Sequence, residues 1–252
     1  MRMLILGLVL GLLGACASNP KNDEAPLETE QAKEENPDSF EGFNRAIFSF
    51  NDTLDRWILK PVAESYDWAM PARVKLSVGN FFSNLGEIKN VINDGLQWKW
   101  KQAANDSGRF LLNTTFGVVG LFDVASKVGL EKSEGESFSQ TLAVWGVPRG
   151  PYLVLPIFGS STLRGGITMP VDWASSPMQY VDDTNTQIAL NTLDTVHSRA
   201  LLLETEELIT GDRYVFVREV YLQRLEYLEN DGKIEDDFGG EFEDDEYADY
   251  DF

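Results

Sequence analysis

The sequence predicts an all-α fold, a single helical domain carried between two acidic ends. Apolar residues recur at every third or fourth position through four long segments, the period of amphipathic helices. Of the formal net charge of −20, residues 17–38 hold −5 and residues 235–252 hold −10, so the middle of the chain is close to balanced. Neither a repeat of fixed period nor a compositional break divides that middle, and 252 residues at 43% hydrophobic can bury one sizeable core.

The chain opens MRMLILGLVLGLLGACAS. Arg2 and the apolar run from Met3 to Leu13 form an export signal over residues 1–15, too short to span a bilayer. Leu13-Gly14-Ala15-Cys16 then matches the bacterial lipobox, in which small residues admit the peptidase and the Cys16 thiol is alkylated by diacylglycerol. Cys16 is the only cysteine, so a disulfide framework is excluded and lipidation explains the thiol better than redox or metal chemistry. Ala17 and Ser18 follow, with no Asp to retain the product at the inner membrane. The expected address is the outer membrane of a Gram-negative bacterium, on its periplasmic side. Acyl chains contribute roughly 0.8 kcal/mol per buried methylene, so the anchor is effectively permanent. Residues 16–37, rich in Glu, Asn and Pro, read as a flexible lipidated linker.

Asp38 and Glu41 are spaced as a capping box at the start of the helical domain, residues 38–232. Phe43, Ile47, Phe50, Leu54, Trp57 and Ile58 share one helical face, with Asn51, Asp52, Asp55 and Arg56 on others. Val74, Val78, Phe81, Phe82 and Leu85 repeat the pattern, as do Ile188, Leu193, Val196, Ala200 and Leu203. Tyr214, Val217, Tyr221, Leu225 and Leu228 mark a last helix, closed by Asn230 to Gly232. Residues 145–170 break the pattern: Pro148, Pro151 and Pro156 bracket an apolar run that cannot be a long helix, leaving a short strand pair or an extended wall. The tail, residues 233–252, alternates acids with aromatic rings and reads as a disordered, self-repelling segment.

Catalytic chemistry is poorly supplied. His197 is the single histidine, so zinc sites and the H-E-x-x-H motif lack ligands. No G-x-S-x-G elbow presents a serine to it, and no Walker A loop or dinucleotide fingerprint occurs. The expectation is a protein that is not an enzyme, with no cofactor, His197 serving in packing or at the surface. The acidic charge disfavours nucleic acid. Two features suit a lipid environment. Trp98-Lys99-Trp100-Lys101 alternates indoles with ammonium groups, as at a bilayer interface or on an aromatic core beside exposed lysines. Residues 111–125, LLNTTFGVVGLFDVA, are apolar yet interrupted by Gly117 and Gly120.

Several separated motifs then resemble one family. Glu41-Gly42-Phe43-Asn44-Arg45 with Phe50-Asn51, and Arg109-Phe110 followed by Asn113-Thr114, Gly117, Gly120 and Asp123-Val124-Ala125, are similar to the MlaA (VacJ) family of phospholipid-binding outer-membrane lipoproteins. Phe138 to Leu142, Trp145-Gly146-Val147, Gly150-Pro151-Tyr152, Leu163-Arg164, Asp212-Arg213-Tyr214 and Tyr221 to Arg224 continue the match in order. The family usually places Asp after the arginine of the Leu-Arg segment, whereas Gly165 follows Arg164 here.

The resemblance implies a ring-like helical domain lying in the outer membrane, with a central amphipathic channel that removes misplaced phospholipids from the outer leaflet. It implies a trimeric outer-membrane porin and the periplasmic lipid carrier MlaC as partners, with phospholipid as the transported ligand. It also implies a helical hairpin beside the channel from Asn113 onward. On that basis Phe116, Gly117, Val118, Val119, Gly120, Leu121 and Phe122 are expected to form the lipid path or a gate softened by its glycines. The competing reading is a tight core hairpin whose glycines only permit close approach. Asn44, Arg45, Arg109 and Asn113 are candidates for a polar path or for buried structural bonds. A scaffold that bridges porin and carrier without a lipid path is the alternative function, and an esterase using His197 is a third.

Overall fold

A computed structural model describes residues 38–206 and 208–232, which fall in one of two compact units, Pro37–Phe252. The expectations for Cys16, the linker and the tail lie outside the described residues. Helix α1 (Glu41–Leu54) runs through a π-helical turn at Asp55–Leu59 into α2 (Lys60–Ala69). Pro61 explains the wide turn: it has no N–H and its ring displaces the carbonyl one turn back. Helix α3 (Ala72–Leu96) and α4 (Trp100–Thr115) form the most extensive helix pair, joined by a tight corner at Gln97–Lys99 where Trp98 takes a positive φ of 64°. A long loop with a short 3-10 turn at Ala125–Val128 leads to α5 (Phe138–Val144), capped by Ser137, whose hydroxyl accepts from the Gln140 N–H.

The proline-bracketed segment resolves into both structures. Strands β1 (Tyr152–Leu155) and β2 (Gly159–Thr162) form an antiparallel hairpin, with Tyr152 opposite Thr162 and Leu155 opposite Gly159. The remainder is helical, a correction to the expectation for residues 163–170: α6 (Leu163–Ala174) starts at a Thr162 N-cap and tolerates Pro170 in its interior. Helix α7 (Thr184–Leu201), a single turn α8 (Leu203–Glu206) and α9 (Arg213–Glu229) complete the fold. Asp183 and Asp212 cap α7 and α9. Asp38 does not cap α1, as its spacing to Glu41 suggests. The N-cap is Phe40, without a side-chain bond, because the Asp38 carboxylate is drawn into a network with Asn44, Tyr214 and Arg218.

Burial is inverted relative to a water-soluble bundle. Apart from Ala125 and Leu225, the buried apolar groups among the described residues form two small clusters, Ala63, Tyr66, Val196 and Ala200 between α2 and α7, and Tyr152, Val154 and Tyr214 between β1 and α9. Asn44, Glu87, Asn93, Asp94, Asp106 and Arg109 are buried at least as deeply. Meanwhile Phe43, Phe50, Trp57 and Ile58, the apolar face expected for the first helix, are exposed, Trp57 at 80% and Trp68 on α2 at 89%. Trp98 and Trp100 are exposed too, which decides between the two readings of that segment in favour of outward indoles. Water would penalise so large an apolar surface, whereas hydrocarbon accepts it and forces polar groups inward. No helix among the described residues is long and apolar enough to cross a membrane.

Candidate functional site

Helix α3 carries Asn84, Glu87, Asn90 and Asp94, and its C-cap is Gln97, at intervals of three or four, so one polar stripe faces α4 and the loop beyond it. Asp106, Arg109 and Asn113 form the matching stripe on α4. Arg109 donates to Glu87 (3.0 Å), Ser126 (3.1 Å), the Leu130 carbonyl (2.6 Å) and Asp123 (3.3 Å). Asn113 donates to Asp123 and accepts from the Val124 and Ala125 N–H groups at 2.8 and 2.9 Å. Further along, Asn90 accepts the Glu136 N–H, Asn93 accepts from Thr141, and Gln97 donates to Glu136. The stripe thereby stitches residues 123–141 to the helix pair. Arg109 and Asn113 each make several of their bonds within the fold, as buried polar groups require.

The charges respond to this confinement. Burial pushes the Glu87 carboxyl up against the opposing bonds from Arg109 and Asn90. At Asp123 burial is outweighed by Ser126, Arg109 and Asn113, which hold it below the usual carboxylate range. Asp94 has only the charge of Lys99 to help it. Neither oxygen accepts a hydrogen bond among the described residues, and burial, together with the carboxylates of Asp106 and Glu136, pushes it up to about 7.

Residues 116–122 form a turn, not the helical hairpin that the resemblance implies. Helix α4 stops at Thr115, and Val118 (φ 54°), Val119 (58°) and Gly120 (89°) follow in the left-handed region, which β-branched residues avoid. Gly120 donates its N–H to the Asn113 carbonyl and Phe122 to that of Gly117. A Cβ at Gly117 would lie 2.2 Å from the Phe122 oxygen, and one at Gly120 2.7 Å from the Asn84 side chain. The glycines therefore permit close approach; softening of a helix does not arise, because neither glycine is in one. Phe116, Val118, Val119, Leu121 and Phe122 all project as exposed apolar groups.

A second polar cluster joins α1, β1 and α9. Asn44 donates to Asp38 (2.7 Å) and the Tyr152 carbonyl (3.0 Å) and accepts from the Val154 N–H (2.9 Å), so it registers β1 on α1. Burial at Asp38 is overcome by bonds from Tyr214, Asn44 and Arg218, which lower its pKa. Arg45 is more exposed, pairing with Glu41 and Asp212 and lying 4.4 Å over the Tyr214 ring. Arg164 finds its charge partner in Glu229 of α9, with Ser139 and the Val147 carbonyl as further acceptors. An added Cβ at Gly165 would sit 2.9 Å from the Ser161 hydroxyl, so a larger residue is crowded there.

Between α2, α3 and α7 opens a cavity of about 740 Å³. Its lining is mixed: Asp67, Lys75, Ser83 and Asp194 supply polar groups, and Leu76, Phe82, Leu201 and Leu203 apolar ones. Lys132 reaches it from the loop after α4. His197 is buried on its wall with Nδ1 3.1 Å from the Tyr66 hydroxyl, and burial lowers its pKa, consistent with packing. A smaller polar cavity of about 20 Å³, room for about one water, shares Asn80, Ser83 and Lys132 with the large one and ends on Arg109, Asn113 and Asp123. Sequence reasoning missed Lys75, Lys132 and Asp194. It also missed the α3 stripe, although its spacing is visible in the sequence.

A family profile described as MlaA lipoprotein matches residues 36–228. The intermembrane phospholipid transport system lipoprotein MlaA of Escherichia coli K12 is 33% identical over 248 residues, 93% of this chain and 92% of its own. The protein of the same name from Haemophilus influenzae is 32% identical over 88% of both chains. An uncharacterised protein of Rickettsia typhi is 37% identical over 72% of this chain and 73% of its own. A solved chain from "Structural basis for maintenance of bacterial outer membrane lipid asymmetry" is 34% identical and superposes with a TM-score of 0.68, covering 77% of this chain and 99% of that one.

Proposed function

This chain belongs to the MlaA lipoprotein family, and from that premise we propose that it is a passive phospholipid conduit of the outer membrane. Anchored by a lipid on Cys16 and a tether over residues 16–37, the helical domain of residues 38–232 withdraws mislocalised phospholipids from the outer leaflet and yields them to a periplasmic carrier. Lipid asymmetry is the result. The observation that carries this reading is the inverted burial around a cavity lined by both apolar and polar side chains. Two acyl chains of sixteen carbons exposed to water would cost more than about 20 kcal/mol at roughly 0.8 kcal/mol per methylene. A path that keeps tails against Leu76, Phe82 and Leu203, and the headgroup against Lys75, Ser83 and Asp194, avoids that cost without fuel.

The exposed indoles and the apolar turn at 116–122 are the surfaces we assign to lipid and to a trimeric porin. Strain at Val118 and Val119 suits an element with two arrangements, and the turn is our candidate gate. The test is outer-leaflet phospholipid measured on intact cells. Cells lacking the protein should accumulate it, as should cells carrying Cys16→Ala; equal surface phospholipid with and without the protein rejects the reading. A scaffold without a lipid path would restore asymmetry yet retain no phospholipid on purification.

A further inference from the structure

The large cavity carries two opposite charges that the fold does not use. Lys75 on its wall is neutralised by Asp67 at 2.5 Å. Lys132 is solvent-exposed and has no carboxylate within salt-bridge reach among the described residues; it lines the large cavity, the small polar one and a third of about 570 Å³ beside Trp98 to Gln102. Asp194, half-buried on α7, has neither a hydrogen-bond donor nor a salt-bridge partner among the described residues. Its electrostatic neighbour is His197, which burial disposes to stay neutral. Glu204, the remaining acid of the cavity, is exposed.

We propose that Lys132 and Asp194 read the lipid headgroup, the ammonium holding the phosphodiester and the carboxylate receiving an amine, so that the preferred cargo is a zwitterionic ethanolamine phospholipid. The inference rests on the conduit reading above. An anionic glycerol headgroup satisfies Lys132 but brings Asp194 nothing to neutralise it. An amine gives that carboxylate a charge-assisted bond, of the kind that is strong where water is partly excluded. Burial raises the Asp194 carboxyl, so a cation arriving there recovers charge otherwise penalised. The cavity volume lies within the roughly 300–1,000 Å³ typical of ligand pockets.

The test uses full-length lipidated protein in detergent, incubated with vesicles of equimolar ethanolamine and glycerol phospholipid, with bound lipid quantified by mass spectrometry. Wild type should retain the ethanolamine lipid in excess. Asp194→Asn should keep total capture but lower the ethanolamine-to-glycerol ratio about fivefold, and Lys132→Gln should lower capture of both about tenfold, with Lys132→Arg restoring it. Melting curves verify that the variants fold. Wild type with no ratio above unity, or variants with wild-type amounts and ratio, overturns the headgroup inference. Wild type that retains neither lipid above a detergent blank removes the conduit reading beneath it.

Discussion

Arg109 and Lys132 lie on the same small polar cavity, yet one is bonded into the fold and the other forms no salt bridge among the described residues. Arg109 spends its guanidinium on Glu87, Ser126, Leu130 and Asp123, whereas Lys132 pairs with no carboxylate within salt-bridge reach among the described residues. The stripe between α3 and α4 and the cavity wall beside α7 thus use similar residue types for different ends. Where partners are complete, polar groups build the fold; where they are left open, they are available to a ligand.

Substitutions sharpen this contrast. The largest effect is expected for Arg109→Met, which strands Glu87 and Asp123 and should lower stability by about 3–5 kcal/mol, read as a collapse of the melting transition in detergent. Gly117→Ala forces a Cβ into the Phe122 and Asn113 carbonyls and should cost about 2–3 kcal/mol. Unchanged melting would mean that the turn readily rearranges. Asp94→Asn should act in the opposite direction and depend on pH. The folded state holds the Asp94 proton up to about 7, while the unfolded chain releases it near the ordinary carboxylate value. Stability from this group is therefore full at low pH and lost as pH rises toward 7. The variant should be stabilised by about 2 kcal/mol at pH 8 and by much less at pH 4; equal gains at both would exclude a protonated Asp94. Arg45→Ala removes partly exposed pairs and should cost under about 1 kcal/mol. His197→Ala should leave lipid clearance intact, since this imidazole packs on Tyr66; loss of clearance in a folded variant would reopen the esterase reading.

Periodicity made α1, α3, α7 and α9 legible but not α4, α5 or α6, and the prolines at 148, 151 and 156 marked where a hairpin interrupts the helices. The direction of the faces was not legible. Phe43, Phe50 and Trp57 share a stripe by spacing, but spacing does not say whether the apolar side turns to a core or to hydrocarbon, and here Asn44 is inside while Trp57 is outside. Asn44, Arg109 and Asn113 were visible as polar residues in need of partners; the partners, such as the Tyr152 carbonyl and the Val154 N–H, lie up to 110 residues away. Lys132 and Asp194 are ordinary surface charges in the sequence and gain meaning only because the fold leaves both on one cavity.

The central claim is that lipid passes through the cavity between α3 and α7. The most direct measurement fills it: Ser83→Trp with Ser198→Trp, both on its lining, followed by outer-leaflet phospholipid in intact cells and melting of the purified protein. The account predicts a folded variant whose cells accumulate surface phospholipid as strongly as cells without the protein. A folded double variant that clears surface phospholipid like the wild type would contradict it.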